Sequence, residues 1–447
     1  MKHFVIVGIF LNLLIPASVR GQETKRKVNV LFIAVDDLNT AIGCYGHRMV
    51  KTPNIDRLAA RGVRFDRAYC QYPLCNPSRT SLLSGRRPDT TRVFLDGAPA
   101  REFLPDVDFL PEYFRRFGYF TAHIGKIGGA CRWDVSIKAG HSEKEGGKLK
   151  IEWRATKTKD EEEPDGKTAR EAVRMLEQNK GKAFFLAVGF GRPHLPFVAP
   201  QKYFDLYPPD KVVLPKEPVD VRKNVPAIAF DRHKEKLTEA EARNATAAYY
   251  ACVSFMDAQL GVILDAMDRL ELWDNTVVIF WSDHGFHLGE HGGLWRKAKL
   301  FEECARVPLI VAAPGKQKGA TSPRLAELVD LYPTLTQLCG LPTPKGMEGT
   351  SLIPLLDDPR QPWKKAAFIQ VAHGRNHDVM GRSVRTERYR YTEWADGKEG
   401  LELYDHASDP REHVNLATER KHAETMAELK QLLKDGWQKA GPPSPRK

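Results

Sequence analysis

Cys75-Asn76-Pro77-Ser78-Arg79 runs into Thr80-Ser81-Leu82-Leu83-Ser84-Gly85, placing a thiol just ahead of a cation. A lone buried thiol is ordinarily inert packing. Arg79, four residues on, and the small residues of 81–85 instead predict a loop entering a helix, whose first amides and dipole favour an anion. Asp36-Asp37 closes an apolar run. Adjacent carboxylates repel unless a cation lies between them, and hard cations such as Ca²⁺ and Mg²⁺ take carboxylate oxygens. Two solvated loop charges explain the pair equally well. Asp283-His284 ends a second such run, and His194 follows a third in Arg192-Pro193-His194. There an imidazole could protonate a leaving oxygen or merely cap its loop. Lys126 and Lys297, taken singly, are surface charges.

These residues must be positioned by the elements around them. Residues 28–35 are near-continuously apolar and β-branched, the pattern of a central parallel strand. The same grammar recurs at 183–190 and 276–281, so polar groups gather after strand ends. Helical spacing over 53–61, behind Thr52, and over 240–270 completes an alternation that predicts an α/β sandwich. Ligands in such sheets bind beyond the carboxyl ends of the strands, where Asp36, Asp37, Asp283 and His284 would lie. The polar stretch 139–166 reads as a surface insertion and 357–362 as a linker. Beyond it, 367–371, 381–385 and 389–394 predict an antiparallel sheet covered by a final helix at about 417–439. The expected division is a leader at 1–21, a catalytic domain at 22–362 and a C-terminal α+β subdomain at 363–447.

The 447 residues, 42% hydrophobic and 28% charged, are ordinary globular composition. Lys2 and His3 precede an apolar run over 4–17, followed by small and polar residues 18–22, the layout of a secretory leader. That run contains Asn12 and Pro16 and is shorter than the ~20 residues a membrane span needs. No Cys follows it to carry a lipid, so no stable membrane anchor is expected, and the chain reads as secreted or periplasmic. The seven Cys, at 44, 70, 75, 131, 252, 304 and 339, form no C-x-x-C pair, so they indicate neither a zinc site nor a dense disulfide framework. A net charge of +11 draws acidic partners at long range. No nucleic-acid motif accompanies it, and with the leader it fits an anionic polysaccharide best.

The Cys75 run resembles the signature of the type I sulfatases. The resemblance extends over Asp36-Asp37-Leu38-Asn39, residues 52–59, residues 184–190, Arg192-Pro193-His194, Ser282-Asp283-His284-Gly285, Leu288-Gly289-Glu290-His291-Gly292, residues 307–310 and residues 385–391. Together these are similar to the iduronate-2-sulfatase type. The resemblance implies an alkaline-phosphatase-like fold with a large, mostly parallel central sheet flanked by helices. It implies that Cys75 is oxidised to formylglycine by a formylglycine-generating enzyme. It implies one Ca²⁺ held by Asp36, Asp37, Asp283, His284 and an oxygen of the converted residue 75. His284 is unusual there, since many relatives place Asn. Arg79 would support the gem-diol, Lys126 and Lys297 would contact sulfate, and His194 would protonate the departing alcohol. One hydroxyl of the hydrated aldehyde attacks sulfur, and deprotonation of the other then expels sulfate. In one respect the chain departs from the family. A His that usually follows the Gly-Lys pair is replaced by Ile127, Gly128, Gly129 and Ala130, with His141 one candidate for the missing base.

The implied substrate is a sulfated carbohydrate, with the 2-O-sulfate of a uronic acid favoured over an algal uronan. Arg375 and His377 are read either as contacts for the sugar carboxylate or as solvated charges. Two rivals remain: a phosphate or phosphonate monoester hydrolase of the same superfamily, and a glycan-binding relative without turnover. Maturation is directly measurable. A peptide spanning residues 72–79 should be lighter than its sequence by exchange of sulfur for oxygen and loss of two hydrogens; an unmodified mass from chain competent for turnover would contradict the reading.

Overall fold

Every residue of Asn29–Val35 (β1) is buried, as expected of a strand covered on both faces. The computed structural model describes residues 1, 27–128, 130–138, 151–231 and 235–443. Gly129, His141 and, apart from Met1, the leader read at 1–21 lie outside them. The remaining strands of the main sheet are Val63–Tyr69 (β2), Phe120–Gly125 (β3), Val135–Ile137 (β4), Phe184–Phe190 (β5), Thr276–Ser282 (β6), Arg306–Val307 (β7), Leu309–Ala312 (β8) and Ala320–Glu327 (β9). β1 lies between β5 and β6, parallel to both. β3 runs parallel to β5 and β4 parallel to β3. On the other side β8 is antiparallel to β6 and to β2, β7 is antiparallel to β2, and β9 is parallel to β2.

Alternation along β1 divides the core into two layers. Leu31, Ile33 and Val35 face a layer shared with Leu260, Ile263 and Leu264 of the 31-residue helix Glu239–Arg269. Val30, Phe32 and Ala34 face the other layer, with Leu82 and Leu83. The long helix starts on a capping box, Thr238 accepting from the Glu241 amide. Its length and apolarity would suit a membrane span, but 89% of its most apolar window is buried inside the chain.

Four strands, Ala367–His373 (β10), Val379–Arg385 (β11), Tyr389–Trp394 (β12) and Gly400–Asp405 (β13), form the expected antiparallel sheet in sequential order. The final helix covers Ala423–Asp435, shorter at both ends than expected: Arg420–His422 is a 3-10 turn, and Gly436 at φ 77 ends the helix. The stretch 139–166 is not wholly a surface insertion. Trp153–Thr156 pairs in parallel with Phe197–Pro200, and Pro164–Asn179 is an amphipathic helix with Asp165 buried near its start. Asp165 accepts the amides of Gly191 and Arg192 at 2.8 Å, so a polar sequence here serves as a brace behind His194.

Phe32 is fully buried, its ring 5.8 Å from Phe185 and 5.1 Å from Trp281. Phe32→Ala should cost about 3–5 kcal/mol of stability, read as a lower urea midpoint at unchanged slope; an unchanged midpoint would mean that this layer is not closely packed around Phe32.

Candidate active site

The parallel strands put their chemistry on one edge. In register, Val35 lies beside Phe190 and Ser282, and Gly125 beside Gly189, so Asp36, Lys126, His194 and Asp283 all follow neighbouring strand ends. Cys75 opens the helix Cys75–Ser84 behind an extended Leu74. One turn on, the Arg79 guanidinium donates from Nε to Asp283 Oδ2 at 2.8 Å and from Nη2 to Asp36 Oδ1 at 3.2 Å. Its Nη1 donates to the Ile127 carbonyl at 2.9 Å. Only a planar fork can join two carboxylates and a loop carbonyl in this way. Ser78 Oγ donates to the Asp283 carbonyl at 2.5 Å. The Pro-Ser-Arg run thus clamps the helix onto the end of β6.

Asp37 adopts φ 64, uncommon for a residue with a Cβ. Tyr249, from the long helix, holds it there by donating to the Asp37 carbonyl at 2.8 Å and accepting from the Asn39 amide at 2.9 Å. Lys297 Nζ lies 2.7 Å from Asp37 Oδ1 and 3.2 Å from Cys75 Sγ. Lys126 presses its ammonium on Asp36 Oδ2. Two glycines let the Lys126 loop come this close. A Cβ on Gly125, itself at φ 76, would lie 2.1 Å from the Gly189 carbonyl oxygen, and one on Gly189 would lie 2.1 Å from that of Lys126.

Cys75 Sγ is 3.4 Å from Asp36 Oδ1 and 3.3 Å from His284 Nε2. His284 Nδ1 lies 2.9 Å from the Gly285 carbonyl, which can only accept, so the ring proton sits on Nδ1 and the Nε2 lone pair faces the cluster. One donor atom each from Asp36, Asp37, Cys75 and His284 lie within 4.8 Å of one another, all four residues buried. Buried Asp36 Oδ2 has no hydrogen bond, despite the adjacent Lys126. This oxygen-rich set fits a hard cation. Asp283 stands beside it with both oxygens engaged, Oδ1 accepting the amides of His284 at 3.0 Å and Asp37 at 3.3 Å.

Charge in this cluster is balanced: Asp36, Asp37 and Asp283 against Arg79, Lys126 and Lys297. Burial alone would raise the Asp36 carboxyl, but Lys126, His194, Arg79 and Lys297 outweigh it and hold it well below the usual carboxylate range. Asp37 is likewise lowered, burial being overcome chiefly by Lys297. Burial, reinforced by Asp36, pushes the Cys75 thiol well up despite Lys297. A thiol held neutral in this way is not an activated thiolate.

Cys75, Arg79, Lys126 and His194 share the wall of a cavity of about 740 Å³. His194 Nδ1 lies 2.7 Å from the Leu195 carbonyl, which leaves Nε2 as its free atom. The same wall includes His123, Arg101 and Lys138, to which sequence reasoning gave no role. His123 stands three residues before Lys126, but Arg101 and Lys138 carry no spacing signal. Arg375 is exposed and His377 half-buried at the turn between β10 and β11, and neither lines this cavity. Arg385, in the 385–391 run, is buried 3.4 Å from Glu302, which Arg390 also meets at 2.5 Å. That run is an internal ion network.

A sulfatase family model matches residues 28–341, and a model described as the N-sulphoglucosamine sulphohydrolase C-terminal region matches 289–439. A sulfatase of Formosa agariphila is 34% identical, covering 97% of this chain and 91% of its own. Mouse iduronate 2-sulfatase is 31% identical, covering 96% and 98%. A solved 2-O GAG sulfatase superposes with a TM-score of 0.77 at 26% identity, covering 93% of each chain. With this fold, the clamped Cys75 helix and a family match over more than half its length, the chain belongs to the sulfatases and is a sulfuric ester hydrolase resembling iduronate 2-sulfatase.

Proposed function

We propose that this sulfatase is an exported enzyme that removes the 2-O-sulfate of a uronic acid in an acidic carbohydrate, with Cys75 matured to formylglycine beside one Ca²⁺. The observation that carries it is the placement of Cys75 Sγ within 3.2–3.4 Å of Lys297, His284 and Asp36, where an oxygen in place of sulfur would meet both a cation site and a lysine. The similarity to iduronate 2-sulfatases and to a 2-O GAG sulfatase supports the substrate. Asp36, Asp37 and His284 would hold the ion, with Asp283 adjoining. When bound, the ion supplies Lewis-acid polarisation of the ester, and the matured residue supplies a hydroxyl nucleophile.

The other steps belong to the chain's own side chains. Arg79 fixes Asp36 and Asp283 and so the geometry at residue 75. Three carboxylates balance three cationic side chains, so a divalent ion leaves the site positive and attractive to a sulfate ester. The ammoniums of Lys126 and Lys297 lie against Asp36 and Asp37 and would be free to face the sulfate oxygens if those carboxylates held a cation. His194, its Nδ1 proton tied to Leu195, presents Nε2, which in the imidazolium form donates a proton to the departing sugar oxygen and leaves the neutral ring.

Asp37→Asn should lower bound calcium and sulfate release together, because it removes ligand charge from a hard-cation site. Elemental analysis of the purified variant checks this, and full calcium occupancy would place the ion elsewhere. On defined sulfated disaccharides, release should be faster from a terminal 2-O-sulfated uronate than from a 6-O-sulfated glucosamine. Cleavage of 6-O- or 4-O-sulfates alone would retain the family and overturn the substrate.

A further inference from the structure

Past Asp283-His284 the chain continues Gly285-Phe286-His287-Leu288-Gly289-Glu290-His291, and the sulfate-ester chemistry uses none of these side chains. His287 and Leu288 pair with Arg296 and Trp295, the hairpin that leads to Lys297. His287 is fully buried and His291 nearly so, and the ring of Phe301 stacks on His291 at 3.9 Å. Neither ring nitrogen of His287 has a hydrogen-bond partner. A buried polar group left so is costly and requires an explanation. Its Nδ1 stands 3.9 Å from Glu303 Oε2, and His291 Nε2 stands 3.1 Å from that same oxygen.

We propose that His287, His291 and Glu303 form a second, buried metal site for a zinc-class transition ion, distinct from the carboxylate cluster at Cys75. Donor atoms from all three residues lie within 4.8 Å of one another. Bonds of about 2.0–2.1 Å in a tetrahedron place ligand atoms roughly 3.3–3.4 Å apart, between the two spacings just given. Two imidazoles with one carboxylate select zinc or its neighbours over Ca²⁺, so the two sites differ in the ion they take. The next donor is Glu290 Oε2, 3.6 Å from His287 Nδ1. The backbone supports the arrangement: His291 is left-handed at φ 53, its amide donating to Glu217 at 2.6 Å. Burial pushes the His287 ring down to about 3, while Glu303 and the carboxylates near it overcome burial and raise His291 to about 9, so a metal, which requires neutral imidazole, would bind with loss of the His291 proton. An ion here would tie the segment after Asp283-His284 to the short helix Glu302–Ala305, bracing the hairpin that carries Lys297.

The test uses the full chain, stripped with a chelator and reloaded with zinc in the presence of excess calcium. Wild type should retain one zinc ion per chain and unfold at a higher temperature than the stripped form. His291→Asn and Glu303→Gln should each weaken zinc retention by more than the roughly 10–100-fold that loss of an outer partner costs, while Asp37→Asn should leave it unchanged. Cobalt in place of zinc should give the visible absorption of a tetrahedral site in wild type, which keeps the test decisive even where a variant does not fold. No retained zinc, no such cobalt spectrum, retention unaltered in both variants, or loss in Asp37→Asn instead would each overturn the proposal.

Discussion

The charge balance around Cys75 is the constraint on which the rest of the structure depends. Asp36, Asp37 and Asp283 are all but fully buried, and removing one partner from a buried, hydrogen-bonded charge group typically costs about 3–5 kcal/mol. Three separate parts of the chain must therefore converge: the helix with Arg79, the β3 loop with Lys126, and the hairpin with Lys297. None of the cations is adjacent to its carboxylate in sequence. The parallel sheet brings β1, β5, β6 and β3 to a common edge, and the three cations then close over it.

This balance also links stability to function. On the proposed calcium reading, the site would be neutral without the ion and positive with it, and would attract an anion once loaded. The strained backbone of Asp37 and the paired glycines 125 and 189 belong to the same design, because each places a charge closer to its partner than ordinary backbone would allow. The Asp37 backbone is held by the long helix, whose Tyr249 bridges Asp37 and Asn39.

Strands with continuous apolar runs, such as β1, β5 and β6, were legible because burial on both faces leaves a one-dimensional signature. The Cys75 helix and the residues at the strand ends were legible for a similar reason, since their polar types contrast with the runs before them. The brace made by Asp165 was not, because a polar helix start looks like an insertion until its partners, the amides of Gly191 and Arg192, are known. The cavity wall contributed by Arg101 and Lys138 was equally hidden, since its members share a space and no spacing. The Arg385 and Arg390 network illustrates the converse: a run matched to a family holds buried ion pairs that tie the C-terminal sheet to Glu302 of the main body.

The most direct measurement is sulfate release from an aryl sulfate, set beside phosphate release from the matching aryl phosphate, for wild type and Cys75→Ala. The account predicts that wild type favours the sulfate ester and that the variant, folded with an unchanged circular dichroism spectrum, releases none. Wild-type-like turnover by Cys75→Ala would contradict it, because the residue at the centre of the buried charge cluster would then not be the nucleophile.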